Sequence, residues 1–232
     1  FRVIPKRELP GGKKTEAKLA SPIIYLGLSR LYPSGEADEG TLKRHVQRWD
    51  ADEDHDWFVN KYKEILSIRS TSIQSVSNFD ITHSRKQGTG VDCYDSAANS
   101  AGQDNLGQIL MAVLSFKRLA RTQGSDWDGG LLLIDEVDAT LHPAAQRRLI
   151  DLLLKEAGKH KFQVIFTTHS TIVLDYLADK TGHVTKDEPN DIEITYLTDA
   201  NRQLEVKRNP SWHTMANDLF VRGPGAPVPK VG

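Results

Sequence analysis

The chain contains a single cysteine, Cys93, so no disulfide can close within its 232 residues. That usage fits a reducing compartment, and the expected location is the cytoplasm. No apolar run reaches the roughly 18 to 20 residues that a membrane-crossing helix needs, and no leader-like apolar segment opens the sequence. Lys and Arg number 30 against 31 Asp and Glu, a formal net charge of −1. No global field therefore draws a polyanion, and any contact with DNA or RNA has to rest on a local patch. With 38% hydrophobic and 26% charged residues, the chain can bury one substantial core, or a core plus a small helical subdomain.

What is present is concentrated in one stretch. Leu131-Leu132-Leu133-Ile134 runs straight into Asp135-Glu136. A buried parallel strand reads as a short continuous apolar run, and functional residues of open α/β sheets gather where such strands end. Two carboxylates there suit nucleotide chemistry: one can hold Mg²⁺ through its water shell, its neighbour can orient or deprotonate an attacking water. An ordinary strand entering a polar turn has the same composition. Upstream, Ser100-Ala101-Gly102-Gln103-Asp104-Asn105 precedes Leu106, Ile109, Leu110, Val113 and Phe116, an apolar stripe at helical spacing. The Ser/Gly stretch thus opens a helix, where free N–H groups and the dipole favour an anion, although a plain Ser N-cap looks the same. Downstream, Phe162-Gln163-Val164-Ile165-Phe166 is a second buried-type strand ending in Thr167-Thr168-His169-Ser170. A histidine at a strand tip can donate a hydrogen bond to phosphate, though a lone histidine is commonly just a surface residue.

The order of these elements resembles ABC-type ATPases. Ser100 to Gln103 is similar to their signature motif, Leu131 to Glu136 to the Walker B strand, Asp135 to Pro143 to Walker B continuing into the D-loop, and Thr168-His169 to the switch histidine. The wording of the loop resembles the RecF, SMC and OLD-like branch, within which Tyr25 to Pro33 and Ser100 to Leu110 look most like bacterial defence ATPases such as PtuA of Septu and retron systems. The resemblance implies a P-loop NTPase fold of α/β class: a mostly parallel sheet flanked by helices, a helical/β subdomain bearing the signature, and an antiparallel edge hairpin. It implies ATP and Mg²⁺ as cofactors and a head-to-tail homodimer, or a higher even-numbered oligomer. Asp135 would serve the Mg²⁺ water shell, Glu136 would align the attacking water, and His169 would meet the terminal phosphate. Ser100, Gly102 and Gln103 would bind that phosphate across the dimer, and Asp138 would couple the two sites. A nuclease or toxin partner in antiviral defence is the implied effector, with DNA or RNA as a further possible ligand and no membrane. The alternatives are a DNA-repair or chromosome ATPase and a nucleotide-binding scaffold without turnover.

One motif of such ATPases is missing. A loop G-x-x-x-x-G-K-[ST] should wrap the phosphates, yet Gly11-Gly12-Lys13-Lys14-Thr15 has Lys14 where Ser or Thr belongs and no buried strand before it. We expect a P-loop-bearing segment to lie outside this sequence, and Ser29 or Arg30 to approach the metal. For the rest, residues 1–20 read as an exposed basic loop, 21–222 as the ATPase domain and 223–232 as a tail or linker. A helical insert is expected over about 38–70, the signature region over 96–120, and strands around Ile73 to Val76 and Asp80 to His83 with a turn at Gly88-Thr89-Gly90. Asp50 to Asp56 reads as a solvated turn, because a calcium loop needs Gly and Glu where His55 and Lys61 stand. Pro143 should open a helix that Gly158 closes. Ile192 to Leu197 and Leu204 to Lys207 should pair as a hairpin.

Overall fold

Leu132 and Ile134 are almost completely buried, and the strand that carries them is the middle of a three-stranded parallel sheet. The computed structural model describes residues 6–8, 14–16, 21–28, 42–46, 49–68, 76–81, 86–91, 101–182, 191–199 and 203–220. Along the chain run β1 (Lys6–Glu8), β2 (Lys14–Glu16), β3 (Ile23–Leu26), β4 (Leu42–Val46), α1 (Asp52–Leu66), β5 (Val76–Ile81), β6 (Lys86–Val91) and α2 (Ala101–Gln123). They are followed by β7 (Gly130–Ile134), α3 (Pro143–His160), β8 (Phe162–Phe166), α4 (Thr171–Gly182), β9 (Thr195–Thr198), β10 (Glu205–Arg208) and α5 (Trp212–Leu219). The parallel sheet has the order β3-β7-β8, with Leu26 beside Ile134 and Ile134 beside Phe166. The fold is therefore α/β, a parallel sheet flanked by helices, with a separate antiparallel hairpin β9-β10 and a three-stranded antiparallel sheet β4-β5-β6.

The core lies between one face of the parallel sheet and the helices. Phe116 of α2 stacks on Phe162 of β8, with centroids 4.7 Å apart, and Trp127 leans on the same ring. Leu149, Ile150, Leu152 and Leu153 of α3 join Leu106, Ile109, Leu110 and Val113 of α2 in that core. The stripe expected of α2 from its spacing is thus the stripe it buries. The other face of the sheet carries Ile23 (53% exposed), Tyr25 (65%) and Ile165 (51%). Among the described residues nothing covers that apolar face, although parallel sheets are normally covered on both sides.

Several local expectations are corrected. Residues 1–20 read as loop from composition, but Lys6–Glu8 and Lys14–Glu16 pair antiparallel, and Lys14 and Thr15 lie in a strand rather than at the head of a helix, as a phosphate loop requires. The insert expected to be helical over 38–70 contains β4. Its Leu42 and Val46 fit a helical face, but Leu42, Arg44 and Val46 fit an alternating strand equally well, and five rungs with β5 decide the outcome. Gly88 to Gly90 is strand, not turn, paired with Ser77 to Phe79. Gly158 does not end α3, which runs on to His160 and stops at Lys161 in the left-handed region (φ 53°). The hairpin forms with its strands displaced to Thr195–Thr198 and Glu205–Arg208, Leu197 opposite Val206. Tyr196 Oη donates to Asp218 of α5 at 2.8 Å. Burial first, then that carboxylate, pushes the phenol up to about 12. Ser29, Arg30, Ile73, Cys93 and the 223–232 tail fall outside the described residues.

The stretch expected as a solvated turn is the start of α1. Asp52, Glu53 and Asp54 occupy its first turn, where the positive end of the helix favours acids. Asp54 is only 3% exposed and accepts from Arg118 Nε at 2.8 Å and from Arg121 at 3.2 Å. Burial pushes its carboxyl up, but the hydrogen bonds and charges of Arg121 and Arg118 outweigh that and leave it below the ordinary value. This cluster fastens α1 to α2, and Arg148 fastens α3 to the end of α1 through the Ile65 carbonyl (2.9 Å) and the Ser67 hydroxyl (2.6 Å).

At the C-terminal end of α3, His160 lies 3.3 Å from Glu156, itself 3% exposed. Burial lowers the affinity of the imidazole for a proton; Glu156 pulls the other way, and the cations of Lys117 and Lys159 push it further down. The unfolded chain therefore takes up this proton more readily than the folded one. The group's contribution to stability is complete above the ordinary value of 6.5 and is lost as pH falls through 6.5 toward the lower folded value. His160→Gln is expected to flatten the dependence of melting temperature on pH between about 7 and 5. Calorimetric melts across that range check it, and an unchanged slope contradicts the assignment.

Candidate functional site

Because β3, β7 and β8 are parallel, the segments that follow them share one edge: Gly27 after β3, Asp135-Glu136 after β7, and Thr167 to His169 after β8. The ladder continues just past the strands. Asp135 N–H donates to the Leu26 carbonyl at 2.9 Å, Thr167 N–H to Ile134 at 3.0 Å, and Val137 N–H to Thr167 at 3.0 Å. One hydroxyl then ties the acid pair to the neighbouring segment. Thr167 Oγ1 accepts from the Glu136 N–H at 2.8 Å and donates to Asp135 Oδ1 at 2.7 Å. His169 is exposed two residues further on.

The loop leaving the acids is sharply folded. Glu136 (φ 50°) and Thr140 (φ 64°) both take the left-handed conformation, which costs an L residue roughly 1–2 kcal/mol and is an outlier for a β-branched side chain. Such backbone is retained where its surroundings over-determine it, commonly at functional sites. Here the surroundings are dense. Ala139 N–H donates to the Glu136 carbonyl and Leu141 N–H to Asp138, both at 3.1 Å. Thr168 donates its hydroxyl to Asp138. Gln146, buried on α3, donates to the Leu141 carbonyl at 2.9 Å and accepts from Ser170 Oγ at 2.6 Å. His142 caps α3, with Pro143 in its first turn, and its ring accepts from Ala144 N–H at 3.3 Å.

The first turn of α2 closes on the same loop. Asn105 Nδ2 donates to the Ala139 carbonyl at 2.8 Å. Gly102 lies so close to Thr140 that a Cβ there would stand 2.4 Å from its carbonyl oxygen. Gly102 and Asn105 are buried and Gln103 half-buried, while Ser100 lies outside the described residues. The signature-like turn is thus joined to the acidic loop of its own chain. Asp135, Glu136, Asp138 and His169 are brought to one edge, with Gly102 and Gln103 at the far side of the loop that links them.

The donor set bears on a metal. Among the described residues no three of His, Cys, Asp and Glu gather as a cation cage. Asp135 has Oδ1 committed to Thr167, and among the described residues Oδ2 is engaged in no hydrogen bond. That set fits Mg²⁺, which is held by one or two carboxylates and takes its remaining ligands from water and phosphate. Sequence reasoning missed Thr167, which holds Asp135, and Gln146 and Asn105, which hold the carbonyls of the loop that follows. The hydroxyl run Thr167-Thr168-x-Ser170 around His169 was the available signal. The pairings of Gln146 with Ser170 and of Asn105 with Ala139, each more than 20 residues apart in the chain, were not visible.

Residues 81–175 match the family described as AAA domain, putative AbiEii toxin, Type IV TA system. The OLD nuclease of Thermus scotoductus is 33% identical over 82 residues, which is 34% of this chain. The matched stretch is 16% of that relative's length. No described helix is long and apolar enough to cross a membrane. The stretch that carries α2, the acidic loop and His169 is thus similar to an AAA-type domain.

Proposed function

We propose that the chain supplies the acid-pair, signature and histidine elements of an ATP-binding and ATP-hydrolysing module of ABC type, together with a phosphate loop that these 232 residues do not spell. The observation that carries this reading is the pairing of strand tips: Asp135 and Glu136 beyond β7, and His169 beyond β8, joined through Thr167. Glu136 aligns or deprotonates the attacking water. Asp135 holds the Mg²⁺ water shell, the cation supplying charge neutralisation to the phosphates when bound. His169 donates to the terminal phosphate. Ser100, Gly102 and Gln103 meet the nucleotide of a facing protomer, and Asp138 links one site to the other. ATP binding then favours the dimer by mass action, and hydrolysis releases it.

The module then controls a nuclease or toxin effector in antiviral defence, as the resemblance to PtuA-like ATPases implies; the matches to a domain described as a putative toxin and to a nuclease are consistent with such an association. A repair or chromosome ATPase of SMC type would need long coiled-coil arms, and α1, at 15 residues, is far too short for one. The test is phosphate release from Mg²⁺-ATP by the full-length protein, alone and with Asp135→Asn. Turnover in the parent and a fall of about tenfold or more in the variant support the reading. Nucleotide binding with no release would leave a scaffold, and absence of binding would end the ATPase assignment.

A further inference from the structure

The segment that carries His169 is fastened on both sides of that residue. Before it, Thr168 donates its hydroxyl to Asp138; after it, Ser170 Oγ donates to Gln146 Oε1 at 2.6 Å. The same Gln146 donates through Nε2 to the Leu141 carbonyl at 2.9 Å and, at 3.4 Å, to Asp138. Its exposure is 9%, so these bonds form away from water, where an orphaned partner is costly. Glutamine suits the position because one end accepts while the other donates, which a carboxylate of the same size cannot do. The loop it grips ends against the first turn of α2, through Asn105 on the Ala139 carbonyl and Gly102 on the Thr140 carbonyl.

We propose that Gln146 is a positioning residue that locks the His169 segment to the acidic loop, and that the first turn of α2 sets the placement of His169 through this lock. This deepens the ATPase reading and rests on it for its purpose, but the mechanical link stands in the protein without nucleotide. A change at the start of α2 reaches the Ala139 and Thr140 carbonyls, passes to Leu141, and from there to Ser170 by way of one amide. Such a route counts as coupling only when paired substitutions fail to add.

The experiment follows the His169 imidazole by NMR in the full-length protein with isotope-labelled histidine and no nucleotide, the signal being assigned by its loss in His169→Gln. Ser170→Ala and Gln146→Met are each expected to displace the His169 resonances, and the double variant to displace them no further than Gln146→Met alone. Ser170→Thr, which keeps the hydroxyl, should retain the native resonances. Asn105→Ala should shift His169 in the native background and shift it less in Gln146→Met, where the Thr168 bond to Asp138 still joins the segment to the loop. In turnover, Gln146→Met and Ser170→Ala are expected to lower kcat about tenfold with KM within about twofold. His169 signals that stay native while the melting temperature falls, or displacements that simply add, would overturn the proposal by reducing Gln146 to packing. Should Gln146→Met fail to fold, the Ser170 pair and Asn105→Ala carry the comparison. A parent protein without turnover would end the ATPase reading yet leave the resonance result to decide this one.

Discussion

Glu136→Gln is expected to keep ATP binding, to dimerise more stably with ATP, and to hydrolyse at least about a hundredfold more slowly, the scale on which a lost general base acts. The substitution is nearly isosteric, and the backbone of the residue is held by hydrogen bonds of its own. Its N–H is held by Thr167 Oγ1 at 2.8 Å, its carbonyl by Ala139, and its left-handed φ by the closed loop. Those backbone bonds, and the Thr167 bond to Asp135, do not involve the charge that the substitution removes. A hundredfold loss corresponds to about 2.7 kcal/mol of transition-state stabilisation. Single-turnover phosphate release, alongside sedimentation of the ATP-bound protein, separates chemistry from assembly. Equal rates in parent and variant would remove Glu136 from the chemistry.

Gly102→Ala is expected to destabilise the protein by about 1–3 kcal/mol, the usual cost of overpacking a filled site, and to lower turnover about tenfold or more. In an open helix the same change is favourable, by up to about 1 kcal/mol. The difference lies in the neighbour: a Cβ at 102 would meet the Thr140 carbonyl oxygen at 2.4 Å, and that oxygen is backbone in a strained, hydrogen-bonded loop that cannot yield without moving the acids. Gly158 is the control. It lies within α3, and a Cβ added there would meet nothing within 4 Å, so Gly158→Ala should stabilise by about 0.5–1 kcal/mol. Denaturant melts of the two variants check the opposite signs, and a stabilised Gly102→Ala would show that α2 and the loop are not in contact.

The elements that proved legible were those whose signal is continuous. Leu131 to Ile134 and Phe162 to Phe166 read as short strands, although β8 buries only one face, and the stripe from Leu106 to Phe116 reads as a helix with one buried face. Once two such strands are parallel neighbours, the residues that end them must share an edge, so Asp135, Glu136 and His169 were readable together. What was hidden depended on pairing. Leu42–Val46 satisfies both helical and strand periods, and β5 chose between them. Asp54 looked like one acid among several in a solvated turn until Arg118 and Arg121, more than 60 residues later, placed it inside. Gln146 and Asn105 carry no local signature, because an amide's role is set by the carbonyls it reaches.

The central claim is that the acid pair and His169 border one phosphate site. The direct measurement is a structure of the full-length protein with Mg²⁺ and a non-hydrolysable ATP analogue. The account predicts the terminal phosphate within hydrogen-bond reach of His169, with the metal shell against Asp135 and Glu136 facing the line of attack. A nucleotide seated elsewhere, with Asp135, Glu136 and His169 remote from its terminal phosphate, would contradict it.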